Sequence, residues 1–196
     1  MKEGWDNSKQ EIRQRLRAAS SLHSPEECAL ESQRIISEIR RQSAWKQCRV
    51  LLSFAPIPGE PDLRELCHQA LQERKTVAFP RYLQETGGYR AFEVLDLQRD
   101  LVAGRFGIAE PGTTCPECNL NKLDLVFVPA LGFSLDGVRL GRGKGYYDRL
   151  LAEVSARKCG VAFDWQIAAE LPWESHDVRM DCLVTPSGWH DVTRQA

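Results

Sequence analysis

The segment 138–149, VRLGRGKGYYDR, combines alternating glycines and cations with a carboxylate. The alternating residues are Gly141, Arg142, Gly143, Lys144 and Gly145. Glycine accepts the dihedral angles of a tight turn and leaves main-chain N–H groups accessible to an anion. A helix predicted to begin at Tyr146 places its N-terminus beside this turn. Asp148 suits a divalent metal that bridges it to phosphate oxygens. The segment therefore indicates a phosphate site with a metal ion.

The glycine spacing of this segment differs from the standard phosphate-binding motifs. A P-loop has four residues between its first glycine and its Gly-Lys-Ser/Thr end, and a dinucleotide fold has G-x-G-x-x-G, whereas this segment has G-x-G-x-G. A solvated hairpin or a nucleic-acid contact would have a similar composition. The residues of the segment alone leave these alternatives open.

Composition narrows the class of protein. The chain has 196 residues, 42% of them hydrophobic, which is enough for one sizeable core. A formal net charge of −1 argues against a nucleic-acid binder. No apolar run reaches the roughly 20 residues of a membrane span and the N-terminus lacks the apolar core of a signal peptide, so we expect a cytoplasmic protein without membrane contact. Seven cysteines, an odd number, indicate reduced thiols.

Apolar runs of the buried-strand type alternate with helical patterns along the chain. The predicted strands are 49–54, 76–80, 123–129, 159–163 and 182–185, with a half-exposed strand at 89–95. Two helices are predicted at the start, one capped by Ser8 with Glu11 three residues later and one capped by Ser24. Residues 96–122 read as an irregular connection. This alternation predicts an α/β fold with a mostly parallel sheet and helices on both faces.

Polar side chains adjoin several of these strands. Ligands of open α/β sheets gather at the carboxyl ends of strands, where Glu60 and Asp62 follow the first strand and Arg81 and Tyr82 the second. Asp62 is equally suited to cap the next helix, and the Arg81–Tyr82 pair to cover the sheet edge.

Two further groups are ambiguous from the residues alone. Asp181, before the last strand, could contact a metal, while His176 and Asp177 are typical of a local hydrogen-bond pair. Lys9, Arg13 and Arg17 form a row on the first helix, a pattern typical of a solvated face.

Taken together, these motifs resemble the 5-formyltetrahydrofolate cyclo-ligase family, also called methenyltetrahydrofolate synthetases, over nearly the full length. The matching stretches are Lys9-x-x-x-Arg13, Pro80-Arg81-Tyr82, VPALGF at 128–133, RLGRGKGYYD at 139–148, and the tail from Ala162-Phe163-Asp164 through His176-Asp177-x-x-Met180-Asp181 to Val184-Thr185-Pro186. The fourth stretch is highly specific.

The resemblance implies one domain over residues 1–196, with N-terminal helices at about 8–41 packed on a three-layer α/β/α body like that of sugar-phosphate isomerases and CoA-transferases. It implies an ATP- and Mg²⁺-dependent ligase that converts 5-formyltetrahydrofolate to 5,10-methenyltetrahydrofolate with release of ADP and phosphate. The expected partners are these small molecules, and a monomer is expected. A non-catalytic nucleotide- or folate-binding member of the same fold is the alternative.

The resemblance also implies roles for individual residues. The ATP contacts are Lys9, Arg13, Arg139, Leu140, Gly141, Arg142, Gly143, Lys144, Gly145, Tyr146 and Tyr147. The folate contacts are Ile57, Glu60, Asp62, Arg81, Tyr82, Arg142, Gly143, Lys144, Gly145 and Tyr146. The catalytic group is Arg142, Lys144 and Tyr146, and the metal ligands are Asp148 and Asp181. Because the first-strand motif reads Glu60-Pro61-Asp62-Leu63, either acid could contact the pterin.

Overall fold

A computed structural model describes residues 2–193, with side chains from residue 9 onward except that of residue 106. Within this range the main sheet has seven strands in the order β12-β11-β9-β6-β1-β2-β3. These strands are β1 (Val50–Leu52), β2 (Thr76–Leu83), β3 (Gly88–Val94), β6 (Leu125–Val128), β9 (Arg157–Val161), β11 (Cys182–Thr185) and β12 (Gly188–Asp191). The five central strands are parallel, while β3 and β12 pair antiparallel at the two edges.

Alternate residues of the central strands are buried on opposite faces of the sheet. Leu51 and Phe127 pack in one cluster with α2 (Pro25–Arg41), α3 (Ser43–Gln47) and α4 (Arg64–Gln72). Leu52 and Val126 pack on the other face with α6 (Tyr146–Ala152). A strand covered on both faces is apolar at every position, which is the pattern that the sequence showed. The predicted three-layer, mostly parallel α/β fold is therefore confirmed, whereas the name of the fold type stays a prediction.

The connection 96–122 was predicted to be irregular, and this was wrong in part. It contains α5 (Leu97–Asp100) and the antiparallel strands β4 (Leu101–Ala103) and β5 (Ala109–Pro111). A second small sheet, also not predicted, joins β7 (Gly132–Ser134), β8 (Arg139–Leu140) and β10 (Ile167–Ala168). Strands of two or three residues are too short to show a hydrophobic period.

The first helix, α1, extends over Lys2–Ser20. Ser8 therefore lies within it rather than at its start, so the predicted capping position is wrong; the Ser8 side chain lies outside the described part. The second predicted start is confirmed, because Ser24 Oγ accepts from Glu27 N at 3.2 Å. Leu16 of α1 packs with Leu131 and Leu140 in a third apolar cluster. This contact lays α1 across the end of the sheet that carries the glycine turn.

Replacing Gly132 by alanine tests this docking. A Cβ atom at Gly132 would lie 2.7 Å from Leu16 Cδ1 and 2.8 Å from the Gln166 carbonyl oxygen. We expect Gly132→Ala to lower the free energy of unfolding by about 1–3 kcal/mol, the usual range for overpacking. The measurement is urea unfolding, with Gly88→Ala as the matched control because the nearest atom there is 4.0 Å away. Equal midpoints for the two variants would contradict the contact.

Candidate active site

A cavity of about 720 Å³ lies beyond the carboxyl ends of β1 and β6. Its floor includes Ala55 after β1, and Pro129 and Ala130 after β6. Its walls come from α1, the loop that holds Glu60, β5, the segment 139–148 and the loop 174–177. This is the edge of a parallel sheet at which α/β proteins bind their ligands. The glycine turn predicted to hold phosphate thus faces a cavity rather than open solvent.

Two glycines of the turn require the freedom of that residue. Gly143 has φ +96° and Gly145, the residue before α6, has φ +65°, both in the left-handed region. At Gly141 a Cβ atom would lie 2.8 Å from Arg139 Nη1. The alternation of glycine and cation therefore serves a close backbone turn packed against an arginine.

Two cations of α1, Lys9 and Arg13, line the same cavity. Lys9 is only 9% exposed, and its Nζ donates to Asp177 Oδ2 at 3.1 Å. Arg13 Nε donates to the Gly141 carbonyl at 3.1 Å, which fastens the helix to the turn. The interpretation of this row as a solvated face is therefore wrong for Lys9 and Arg13, whereas Arg17 is exposed. A row of cations one turn apart is the same in sequence whether it faces water or a protein wall.

Arg139 and Asp148 form the most buried ion pair of the cavity. Arg139 Nη2 lies 2.7 Å from Asp148 Oδ1, and the two side chains are 5% and 20% exposed. Arg139 Nε has no hydrogen-bond partner among the described residues. A buried guanidinium requires a counter-charge, which Asp148 supplies. Both groups still have hydrogen-bonding capacity for a ligand.

A second acid, Glu60, contacts the glycine turn through Arg142. Its side chain is 7% exposed, lies 3.1 Å from Arg142 Nη2, and accepts from Ile57 N at 3.3 Å. Burial raises the pKa of Glu60 and the positive charge of Arg142 opposes that rise. Asp62, in contrast, binds the Arg64 backbone and guanidinium and lies outside the cavity lining. Of the two acids left open by the sequence, the structure places Glu60 in the cavity.

A buried glutamine holds the Glu60 loop in place. Gln166 donates to Ala130 O at 3.2 Å and Gly59 O at 3.5 Å, and its Oε1 accepts from Phe163 N. It thereby connects the loop after β1 to the loop after β6. No signal in the sequence distinguished it from a surface glutamine.

Tyrosine side chains cover one wall. The Tyr146 ring contacts those of Tyr82 at 5.2 Å and Tyr89 at 5.6 Å between centroids. Burial raises the pKa of Tyr89 to about 12, with smaller contributions from Glu110, Tyr146 and Glu60. Tyr89 lines the cavity but was missed, because an alternating strand does not reveal what its half-exposed face meets.

The predicted Arg81–Tyr82 pair does not line the cavity. Arg81 lies over the Phe92 ring at 3.5 Å and donates to Gly112 O at 2.6 Å, so it covers the sheet edge. The Tyr82 ring contacts the Tyr146 and Tyr89 rings, and Tyr82 N donates to Glu110 Oε2 at 3.4 Å. Of the two alternatives left open by the sequence, the contacts of Arg81 therefore fit cover of the sheet edge and not a ligand contact.

The two predicted metal ligands are far apart in the fold. Asp148 lines the cavity, but Asp181 precedes β11 at the opposite edge of the parallel strands, where its Oδ2 accepts from Lys158 N at 2.9 Å. Asp177, four residues earlier, lines the cavity instead. Among the described residues there is no group of three or more acidic, histidine or cysteine side chains that could hold a metal ion alone.

The described part of the chain contains no helix long and apolar enough to cross a membrane. The seven cysteines are free thiols, as predicted.

The fold and cavity define a class of protein: a three-layer α/β enzyme with a basic glycine turn at the carboxyl edge of its sheet. A profile described as "5-formyltetrahydrofolate cyclo-ligase family" matches residues 5–186. The chain belongs to this family. The prediction of a ligase of folate metabolism is thereby confirmed.

Individual relatives agree with the family. The chain is 30% identical over 180 residues to a 5-formyltetrahydrofolate cyclo-ligase of Escherichia coli, covering 90% of this chain and 97% of the relative. A cyclo-ligase of Mycolicibacterium smegmatis is 33% identical over 147 residues, covering 70% and 74%. The solved structure of Aquifex aeolicus 5,10-methenyltetrahydrofolate synthetase superposes with a TM-score of 0.85 at 32% identity, covering 96% and 94% of the two chains.

The raised pKa of Glu60 predicts a pH-dependent effect of Glu60→Gln. A carboxyl whose pKa is higher in the folded protein stabilises the fold when protonated, and this stabilisation is lost as pH rises through the folded pKa. Glutamine does not titrate, so we expect the stability of Glu60→Gln relative to the parent to increase as pH rises above about 4.3, the ordinary pKa of glutamate. Urea unfolding at a series of pH values measures this.

Glu65→Gln is the control with the opposite sign. Hydrogen bonds from Gln33 and Arg40 lower the pKa of Glu65, which therefore stabilises the fold above its unfolded pKa. Its variant should lose relative stability as pH rises. A Glu60→Gln difference that is flat across the range would contradict the assignment of a buried, raised acid.

Proposed function

We propose that the chain catalyses the ATP-dependent cyclisation of 5-formyltetrahydrofolate to 5,10-methenyltetrahydrofolate in this cavity. Family membership supports the reaction, and the Arg142–Glu60 ion pair supports the location. This pair joins a basic glycine turn suited to phosphates to an acidic, tyrosine-rich end suited to a heterocycle with N–H donors. One cavity thus offers adjacent sites for both substrates.

The chemistry needs both sites because a formamide oxygen is a poor leaving group. Transfer of the γ-phosphoryl group of ATP to that oxygen leaves ADP and creates a better leaving group. N10 of the folate then bonds to the formyl carbon, the carbon–oxygen bond breaks with release of phosphate, and N10 loses its proton. Phosphoryl transfer asks the protein for positioning and charge stabilisation, which fixed cations and backbone N–H groups supply.

We assign the ATP phosphates to the basic wall. Lys9, Arg13 and Arg139 are held by protein acceptors and need little rearrangement to meet an anion. Lys144 and Arg142 are exposed on the turn itself and can follow the transferred phosphoryl group. Tyr146, between this turn and the Tyr82 and Tyr89 rings, would orient the formyl end of the folate. Leu140, Gly141, Gly143, Gly145 and Tyr147 complete the proposed ATP wall.

We assign the pterin to the Glu60 end, where Ile57 supplies an apolar surface and Glu60 an acceptor for N–H groups. Asp62, Arg81 and Tyr82 are left out of this assignment because they do not line the cavity.

A magnesium ion fits the cavity if the substrate supplies most of its ligands. Mg²⁺ is usually bound by one or two carboxylates, substrate phosphates and water. Asp148 and Asp177 are carboxylates of this kind on the cavity wall, and Asp181 is not. Bound there, the ion would neutralise phosphate charge during transfer.

A cytoplasmic location and a monomeric state also stay predictions.

The reaction itself is tested with 5-formyltetrahydrofolate, ATP and Mg²⁺. We expect the near-ultraviolet absorbance of the methenyl product to appear together with ADP in a one-to-one ratio. Omission of ATP is the control. If the protein binds ATP cleanly but forms no product, the chain is a non-catalytic binding member of the family.

The metal assignment predicts different outcomes for three aspartates. Loss of a residue that only hydrogen-bonds to a metal ligand lowers metal affinity or activity by about 10–100-fold. Removal of a carboxylate ligand itself, by Asp148→Asn or Asp177→Asn, should therefore lower kcat/KM at least about 100-fold and raise the Mg²⁺ concentration that the reaction requires. Asp181→Asn is the matched control and should retain parental activity. Unchanged turnover in Asp148→Asn, or its loss in Asp181→Asn with the melting temperature maintained, would refute the assignment.

A further inference from the structure

Glu110 is a buried acid in the cavity wall that the proposed mechanism does not use. It lies in β5, and only 6% of the residue is exposed. One carboxylate oxygen, Oε2, accepts from Tyr82 N at 3.4 Å. The other, Oε1, is buried and has no hydrogen-bond partner among the described residues. Because buried polar atoms are nearly always paired, an unpaired carboxylate oxygen in a ligand cavity requires an explanation.

The surrounding structure provides room for this side chain. A Cβ atom at Gly104 would lie 2.5 Å from Glu110 Cγ and 2.6 Å from Cδ, so only glycine at 104 lets the carboxyl occupy its position. The Gly104 backbone is held by its own bond to Ile108 O at 2.9 Å. The short β4–β5 sheet therefore presents Glu110 to the cavity in a fixed place.

Glu110 and Glu60 act on the same tyrosine. Burial is the largest cause of the raised pKa of Tyr89, and the carboxylates of Glu110 and Glu60 raise it further. All three residues line the cavity, together with the apolar Ile108. Burial raises the pKa of Glu110, and the backbone N–H groups of Tyr82 and Arg105 and the charges of Arg81 and Arg105 oppose that rise. A carboxyl group beside tyrosine and isoleucine suits a flat heterocycle that carries N–H donors.

We propose that Glu110 Oε1 accepts a hydrogen bond from an N–H group of the reduced pterin ring, as a second acid that binds the folate beside Glu60. This rests on the proposed placement of the folate at this end of the cavity. The fused pyrimidine of the pterin carries an amino group and ring N–H groups, and its recognition needs more acceptors than Glu60 can offer while it is bound to Arg142 and Ile57. Glu110 then determines specificity for the pterin and leaves ATP binding unaffected.

The test compares Glu110→Leu, which removes the acceptor, with Glu110→Gln, which keeps one oxygen. The dissociation constants for 5-formyltetrahydrofolate and for a non-hydrolysable Mg·ATP analogue are measured by calorimetry, together with the melting temperature. A hydrogen bond to a charged acceptor corresponds to about a 10- to 100-fold change in affinity. We expect a loss of this size for folate in Glu110→Leu, a smaller loss in Glu110→Gln, and ATP affinity within about twofold.

Stability separates this role from a structural one. Glu110→Gln keeps an acceptor for Tyr82 N, so its melting temperature should equal that of the parent, whereas Glu110→Leu leaves this N–H group without its acceptor and should lower the melting temperature slightly. The exposed Glu117, in the same connection, provides the matched control Glu117→Leu, with parental affinity for both ligands. Parental folate affinity in both Glu110 variants, or equal loss of folate and ATP affinity with a lower melting temperature, overturns the inference.

Glu60→Gln distinguishes this inference from the placement on which it rests. Weaker folate binding in Glu60→Gln, with parental binding in the Glu110 variants, would refute the role of Glu110 alone. Parental folate binding in Glu60→Gln as well would place the pterin elsewhere and refute both.

Discussion

The pairing of charges inside the cavity is the constraint on which the site depends. Lys9, Arg139 and Arg142 each contact a carboxylate, on Asp177, Asp148 and Glu60 respectively. Lys9 and Arg139 are largely removed from water and need such a partner, and for the exposed Arg142 the partner fixes the direction of the side chain. The basic wall is therefore already arranged before an anionic ligand arrives, so that little reorganisation accompanies binding.

This pairing also gives the acids two roles. Asp148 neutralises Arg139 and is available to a metal ion, and Glu60 orients Arg142 and is available to a heterocycle. A phosphate that binds the arginines would partly replace the carboxylates as their counter-charge. Asp148 could then bind a metal ion more readily, which favours binding of metal and nucleotide together. Arg142 lies at the boundary between the two proposed substrates, where the phosphoryl group must pass from one to the other.

Much of the architecture was predictable because its causes are local. The apolar runs at 123–129 and 159–163 are buried on both faces of the sheet, and their β6 and β9 strands are central and parallel. The glycine turn was recognisable because Gly143 and Gly145 have backbone angles that other residues rarely adopt. In contrast, β4 and β5 are too short for periodicity to show, and with them Glu110 was missed. Asp181 was predicted as a metal ligand, but Asp177, four residues earlier in the same loop, is the residue that lines the cavity, because the path of a loop through the fold is not a local property.

The sequence by itself determined the sheet, the phosphate-type turn and, through its motifs, the family, because apolar periodicity and glycine spacing act over a few residues. Only the tertiary structure decided which charged groups meet. Lys9 and Asp177 are 168 residues apart and Arg142 and Glu60 are 82 apart. The docking of α1 brings Lys9 to its partner, and Glu60 reaches Arg142 because the loop after β1 lies at the carboxyl edge of the sheet. The sequence pattern of Lys9 and Arg13 indicated a solvated surface, and the docking of Leu16 placed them in the cavity.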